Sequence, residues 1–138
     1  MPGGVQVVPD PNVLVSAAVT PGGVCAQLLE KLVESPLTIV VSPLLLEEVE
    51  RVLGRPRFEE LGAPLRVGYV QYVQRIAHIE VDPPATEASL VVADPGDDYL
   101  VRLTLAHDQR LLVTGDRHLL ELASEYPVVS PRELLERL

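Results

Sequence analysis

Short apolar runs dominated by Val and Ile alternate along this chain with longer stretches in which Leu and Val recur every three to four positions. The first pattern predicts buried strands and the second amphipathic helices. Residues 5–9 (VQVVP) read as a short buried strand, and 12–19 as a helical turn broken by the TPGG at 20–23. Residues 24–33 predict a helix with Leu28, Leu29 and Leu32 on one side, followed by a β-branched strand at 37–41. Ser42 then stands at an N-cap position, Pro43 at the first helical position, and Gly54 behind a helix that ends at Leu53. A short helical piece at 57–62 precedes a helix at 64–77 with Val67, Val70, Val73 and Ala77 at helical spacing, and then a strand at 78–81. Residues 82–96 read mostly as loop. Asp97 starts a helix to about His107, residues 111–114 form a strand, 116–123 a helix and 126–129 a last strand. Ser130 and Glu133 have the capping-box spacing that opens a final helix.

Strands alternating with helices predict an α/β sandwich with a mainly parallel central sheet. Neither an internal repeat nor a second domain is visible over residues 1–138, and the length suits one domain. In such sheets, sites form outside the carboxyl ends of the strands, where the strand order reverses.

Composition narrows this picture. Apolar residues make up 47% of the chain, with one Phe, four Tyr and no Trp, so the core must be aliphatic. The net charge of −9 argues against a broad electrostatic grip on nucleic acid and leaves room only for a local basic patch. Cys25 is alone, which excludes a disulfide framework and a thiolate metal site. No apolar run approaches the length of a membrane span, and no signal peptide opens the sequence, so a reduced cytoplasmic setting with no membrane is expected.

The chemistry lies in carboxylates placed where turns meet regular structure. Asp10 ends the run VQVVP, Glu48 lies in PLLLEEVERVL, Asp97 in ADPGDDYL, and Asp116 follows LLVTG. Converging acids make an oxygen-rich cage for a hard divalent cation, Mg²⁺ or Mn²⁺. Each also has a plainer reading. Asp10 and Asn12 suit an Asx turn or helix cap, and Asp97 and Asp116 suit N-caps whose charge favours the helix dipole. Around Val49 as the centre of the apolar stripe, Glu47 points to solvent, while Glu48 and Glu50 flank the stripe on opposite sides; periodicity does not choose between them. Asp94 and Asp98 neighbour Asp97, and Thr114 shares the strand end with Asp116. Arg51, Arg55 and Arg57 form the densest basic run, suited either to tracking phosphate or to a solvated helix end. The three histidines do not cluster in sequence, so zinc is not expected, and no GxSxG, GxGxxG or Walker A motif occurs.

In this order and spacing, the stretches VVPDPNVLVSA, SPLLLEEVERVLGRPRF, ADPGDDYLVRLTLA, LLVTGDRHLLEL and VVSPRELLERL resemble those of the PIN-domain family, in particular the toxins of type II toxin–antitoxin pairs. The resemblance covers nearly the whole chain and implies a three-layer α/β/α sandwich and a Mg²⁺- or Mn²⁺-dependent endoribonuclease acting on single-stranded RNA. It implies Asp10, Glu48, Asp97 and Asp116 as catalytic metal ligands, choosing Glu48 over Glu50. Asn12, Thr114, Asp94 and Asp98 become supporting residues, and Arg51, Arg55 and Arg57 first candidates for RNA contact. The implied partners are RNA, a cognate antitoxin and further copies of the chain. One departure stands out: Pro11 replaces the usual Thr between the first Asp and the Asn, removing a backbone N–H and a hydroxyl. Two other readings compete. A receiver-like phosphoacceptor domain would need a Lys near the acids, but the one Lys, Lys31, lies in an early helix. A catalytically weak PIN domain that only binds RNA or protein is the other.

Overall fold

A computed structural model of the chain describes residues 4–84 and 95–138. Its centre is a sheet of five parallel strands: β1 (Gln6–Pro9), β2 (Thr38–Val41), β3 (Ala77–Ile79), β4 (Arg110–Val113) and β5 (Val128–Val129), in the order β3-β2-β1-β4-β5. The order reverses between β1 and β4, where Val7 pairs with Leu111 and Pro9 with Val113. Parallel strands joined by helices are buried on both faces, which is why they read as continuous Val and Ile runs; Val7, Val8, Val40, Val41 and Val113 are completely buried.

The helices are α1 (Pro11–Val19), α2 (Val24–Glu34), α3 (Pro43–Leu53), α4 (Gly62–Ile76), α5 (Asp98–Leu105), α6 (Arg117–Leu120) and α7 (Pro131–Arg137). α1 packs on α2 and α3, α2 on α7 and α3 on α4, while α5 packs on β1 and β4. Right-handed crossovers put α5, which lies between β3 and β4, on the face opposite the helices that join β1 to β2 and β2 to β3. The result is a three-layer α/β/α sandwich. Among the described residues no single helix is long and apolar enough to cross a membrane; α1 and α2, apolar together, meet at 104°, and both bury Leu side chains in the core.

Local chemistry sets the element ends as expected. Ser42 Oγ accepts from the Leu45 N–H at 3.3 Å to cap α3, and Gly54 closes it. Ser130 Oγ accepts from the Glu133 N–H at 3.1 Å to cap α7. The helix read at 116–123 is a single α turn that tightens into a 3-10 segment at Glu121–Ser124. Asp97 closes a 3-10 turn, Pro95–Asp97, that precedes α5.

Two side-chain placements depart from the pattern. Val67 was expected on the core stripe of α4 but is 53% exposed, and only Val73 of that stripe is fully buried. The cause is position: α4 leans on α3 and the edge strand β3 instead of lying across the sheet. Arg110, at the first residue of β4, is 1% exposed. Its guanidinium donates to both Glu80 carboxylate oxygens at 2.6 and 2.7 Å, to Gln6 Oε1 at 2.8 Å and to the Leu103 carbonyl at 2.8 Å. His78 Nε2 and His107 Nε2 lie 3.9 and 3.5 Å from the same Glu80 oxygen. Two of the three histidines therefore do meet, brought together by β3 and the end of α5, against the expectation from sequence. They meet a carboxylate already held by an arginine fork, which serves structure rather than metal binding.

Candidate active site

Parallel strands all end at one edge, so the residues that follow them converge. Asp10 comes directly after β1, and its backbone N–H donates to the Val113 carbonyl of β4 at 2.8 Å. Its side chain is 3% exposed. Oδ1 accepts from the Asn12 N–H at 2.9 Å, and Oδ2 from the Thr114 hydroxyl at 2.8 Å. Thr114 Oγ1 in turn accepts from the Asp116 N–H at 3.0 Å, and Asp116 Oδ1 accepts from the His118 N–H at 2.8 Å, capping α6. Asp10, Thr114 and Asp116 are thus one hydrogen-bonded chain at the reversal point of the strand order. Burial pushes the Asp10 carboxyl above the usual range and the Asp116 charge pushes it further, against the downward pull of Asn12 and Thr114.

The plain reading of Asp10 is realised: the oxygen that caps α1 belongs to a buried acid at the switch point. Asn12 supports it through its backbone N–H, not its side-chain amide. Pro11 occupies the first helical position, where no partner exists for an N–H, so it costs α1 no hydrogen bond. What it removes from the loop is the hydroxyl.

Glu48 is the half-buried acid of α3, while Glu47 and Glu50 are exposed. Its Oε2 accepts from the Tyr99 hydroxyl at 3.3 Å, and its Oε1 lies 3.5 Å from Arg51 Nη2. Tyr99, two residues past Asp97, has its phenol held far above the usual range, first by burial and then by the charges of Glu48, Asp10 and Asp82. One hydroxyl therefore feels three acids from three elements. Asp82, in the segment after β3, accepts from the Leu44 N–H at 3.0 Å, and its Oδ1 is buried with no hydrogen-bond partner among the described residues. Neither Tyr99 nor Asp82 stands out in the sequence; the only local signal is an acid soon after the end of a strand and a tyrosine at the second residue of a helix whose start is acidic.

Asp97 is half-buried at the N-cap position of α5, and its carboxylate does not cap that helix. Asp98, expected as a supporting acid, is instead paired with Arg102 one turn along at 2.7 Å. Asp94 lies outside the described residues. Of the three arginines all are exposed, but they differ in what they do. Arg51 faces Glu48, and the Arg57 guanidinium sits 4.7 Å above the Phe58 ring. The basic run is therefore partly engaged with its own surroundings.

A buried, hydrogen-bonded carboxylate such as Asp10, with Asp116 beside it, suits a hard divalent cation in donor chemistry. Spacing is a separate matter. Among the described residues, no three of His, Cys, Asp or Glu stand close enough to hold one metal ion. The partners explain this: Glu48 is turned to Arg51 and Tyr99, and Asp116 to its own helix. Beside Asp116 an open cavity of about 350 Å³ is lined by Asn12, Val13, Ser16, Cys25, Gly115 and Pro131.

Among curated proteins none matches this sequence. A solved structure of similar fold is the crystal structure of PAE2754 from Pyrobaculum aerophilum, 22% identical, which aligns over 99% of this chain and 92% of that one with a TM-score of 0.60. The family model of the PIN domain matches residues 6–118, a span that begins at β1 and runs through Asp10, Glu48, Asp97 and Asp116 to the start of α6. With the sheet order, the acids at its carboxyl edge and this match in agreement, the chain belongs to the PIN-domain family, a fold that generally serves nucleases.

Proposed function

We propose that this protein is a Mg²⁺- or Mn²⁺-dependent endoribonuclease that cleaves single-stranded RNA, with Asp10, Glu48, Asp97 and Asp116 as the acids that hold the cation. The observation that carries the reading is Asp10: a carboxylate 3% exposed, with a raised pKa, hydrogen-bonded through Thr114 to the Asp116 backbone. A buried charge of that kind is costly unless a cation offsets it. When bound, a divalent ion lowers the pKa of a water and stabilises charge on a phosphodiester. The residues of the chain fix the rest. Asn12 N–H and the Thr114 hydroxyl hold both Asp10 oxygens in place, and Tyr99 holds one oxygen of Glu48. Arg51, exposed and beside Glu48, is placed to meet a phosphate once that carboxylate is engaged elsewhere.

The finer role, a toxin neutralised by a cognate antitoxin, follows from the resemblance of the motif set. It is tested by expressing the chain alone and together with any small reading frame adjacent to its gene. Growth arrest relieved by the second product supports it, and growth unaffected by the chain alone overturns it. A second reading is a PIN domain that binds RNA or protein with weak catalysis. It is favoured by the spacing of the acids, no three of which share a metal-holding position among the described residues. End-labelled single-stranded RNA incubated with the protein in Mg²⁺, Mn²⁺ and chelator separates the two. Cleavage that needs the cation and disappears in Asp10→Asn supports the enzyme; RNA bound but intact under all conditions supports the binding module.

A further inference from the structure

We propose that the cavity beside Asp116 is a subsite for one unpaired nucleobase next to the cleaved phosphodiester, an inference that rests on the nuclease reading above. The cavity shares Asp116 with the candidate cation-holding acids and Asn12 with the loop that fixes Asp10. A phosphate at those acids therefore has its own nucleoside within one residue's reach of it. At about 350 Å³ it lies at the small end of ligand pockets, which start at roughly 300 Å³. That suits a single planar heterocycle and not a folded peptide or a base pair.

Its lining chemistry argues for a base over a phosphate. No Lys or Arg lines it, and Asp116 adds a negative charge, so an anion is disfavoured. Val13, Cys25 and Pro131 give apolar surface for the faces of a ring. Burial raises the pKa of the Cys25 thiol against the opposing pull of a hydrogen bond with Ser16, so it stays protonated and offers a soft sulfur surface to a ring. The Asn12 backbone is spent on Asp10, but its side-chain amide makes no hydrogen bond among the described residues, and it offers a donor and an acceptor on one group. The Ser16 hydroxyl lies beside it on the next turn of α1, in hydrogen-bond contact with the Cys25 thiol and with oxygen lone pairs left to accept from a base. An amide and a hydroxyl can read the edge of a base only when that base is unpaired and unstacked, as it is in single strands, loops and bulges. The pocket therefore supplies a physical reason for single-strand selectivity that the acidic surface of the molecule does not.

The test uses a set of otherwise identical single-stranded RNAs with each of the four bases, or an abasic ribose, on either side of the cleaved bond. Binding is read by fluorescence anisotropy in chelator, where nothing is cut, and kcat/KM is read in Mn²⁺. Two variants fill the cavity. A Cβ at Gly115 would meet nothing within 4 Å, so Gly115→Leu places its side chain in open space; Ser16→Leu does so from α1. Melting curves confirm that each is folded. The unaltered protein should favour a base over the abasic ribose at one flanking position by about tenfold in both readouts, the size of a base contact with a protein surface. Both variants should bring that ratio close to one. Equal handling of abasic and base-bearing RNA by the unaltered protein overturns the subsite, as does a preference that survives in both variants. Absence of any cleavage with intact base-dependent binding overturns the nuclease reading and leaves the subsite standing.

Discussion

Asp10 concentrates the physical tension of the molecule in one residue. It is a charge removed from water, close to a second acid, and satisfied only by neutral donors. Because its pKa is raised above 3.8 in the folded state, its contribution to stability is present at low pH and is lost as the pH rises through the folded value. Asp10→Asn removes the charge and keeps the shape. The new amide still accepts from the Asn12 N–H through its oxygen and can donate to Thr114 Oγ1, which holds a second lone pair beyond the one used by the Asp116 N–H. We expect cation-dependent RNA cleavage to disappear while the melting temperature at pH 7 stays level or rises; activity equal to the parent protein in saturating Mn²⁺ would remove Asp10 from the mechanism. This residue was legible in the sequence because its cues are local: a strand end, a capping position and an acid. Tyr99 and Asp82 were not, because what defines them is contact with Glu48, 51 positions away, and with Leu44, 38 positions away. No pattern within a window of one element carries that information.

Elements add a second layer of constraint, and here the sequence was informative about identity but not about pairing. Capping residues and β-branched runs marked α3, α7, β1, β2 and β4 closely. The fork between Arg110 and Glu80 was not legible, since an arginine at a strand start reads as surface until the helix that covers it is known. It ties β4, the segment after β3, Gln6 of β1 and the Leu103 carbonyl of α5 into one unit. Leaving such a buried charge without its partner costs about 3–5 kcal/mol. Glu80→Gln should fall at the lower end, near 3 kcal/mol, because it keeps one acceptor and Gln6 and Leu103 remain; urea unfolding measures it, and a loss under about 1 kcal/mol would show that the fork contributes little. The Glu80 pKa is lowered chiefly by its hydrogen bonds to Arg110, so this stability is present above the unfolded value near 4.5 and is lost as the pH falls through the folded one. Below pH 4.5 the parent protein should therefore lose stability more steeply than Glu80→Gln. On α3, Arg51 lies 3.5 Å from Glu48 and would compete with a cation for that carboxylate. The pair is exposed and worth at most about 1 kcal/mol. Arg51→Ala should thus tighten Mn²⁺ binding by no more than about fivefold while weakening RNA binding, and titrations of the two ligands separate these effects. Weaker Mn²⁺ binding would mean that Arg51 supports the acid and does not compete for it.

At the scale of the whole molecule, charge decides how the site works. A net charge of −9 would repel RNA, and two bound divalent ions would leave the protein negative, so any affinity for RNA would have to come from contacts next to the acids and not from the overall field. The same excess of acids should make the folded state sensitive to cations. Asp10 and Asp116 repel each other at the sheet edge, and the unfolded chain, in which they are far apart, has no such penalty. A cation bound only by the folded protein stabilises it by mass action, about 2.7 kcal/mol at 100 times its dissociation constant. For a domain of this length, each kcal/mol moves the melting temperature by a few degrees, so the shift should be on the order of 10 °C. Mg²⁺ and Mn²⁺ should both produce it. Ca²⁺ should stabilise too yet support little cleavage, because its coordination is looser and it orients a water less strictly. The spacing of the acids sharpens the test. No three of the described residues share a metal-holding position as they stand, so binding must turn Glu48 away from Arg51 or bring Asp116 off its cap. That rearrangement subtracts from the gain, and Arg51→Ala should recover part of it as a larger shift than the parent shows. A melting curve indifferent to all three ions, in the parent and in Arg51→Ala alike, would mean that the acids hold no metal and that the chain is a PIN domain that binds without cutting.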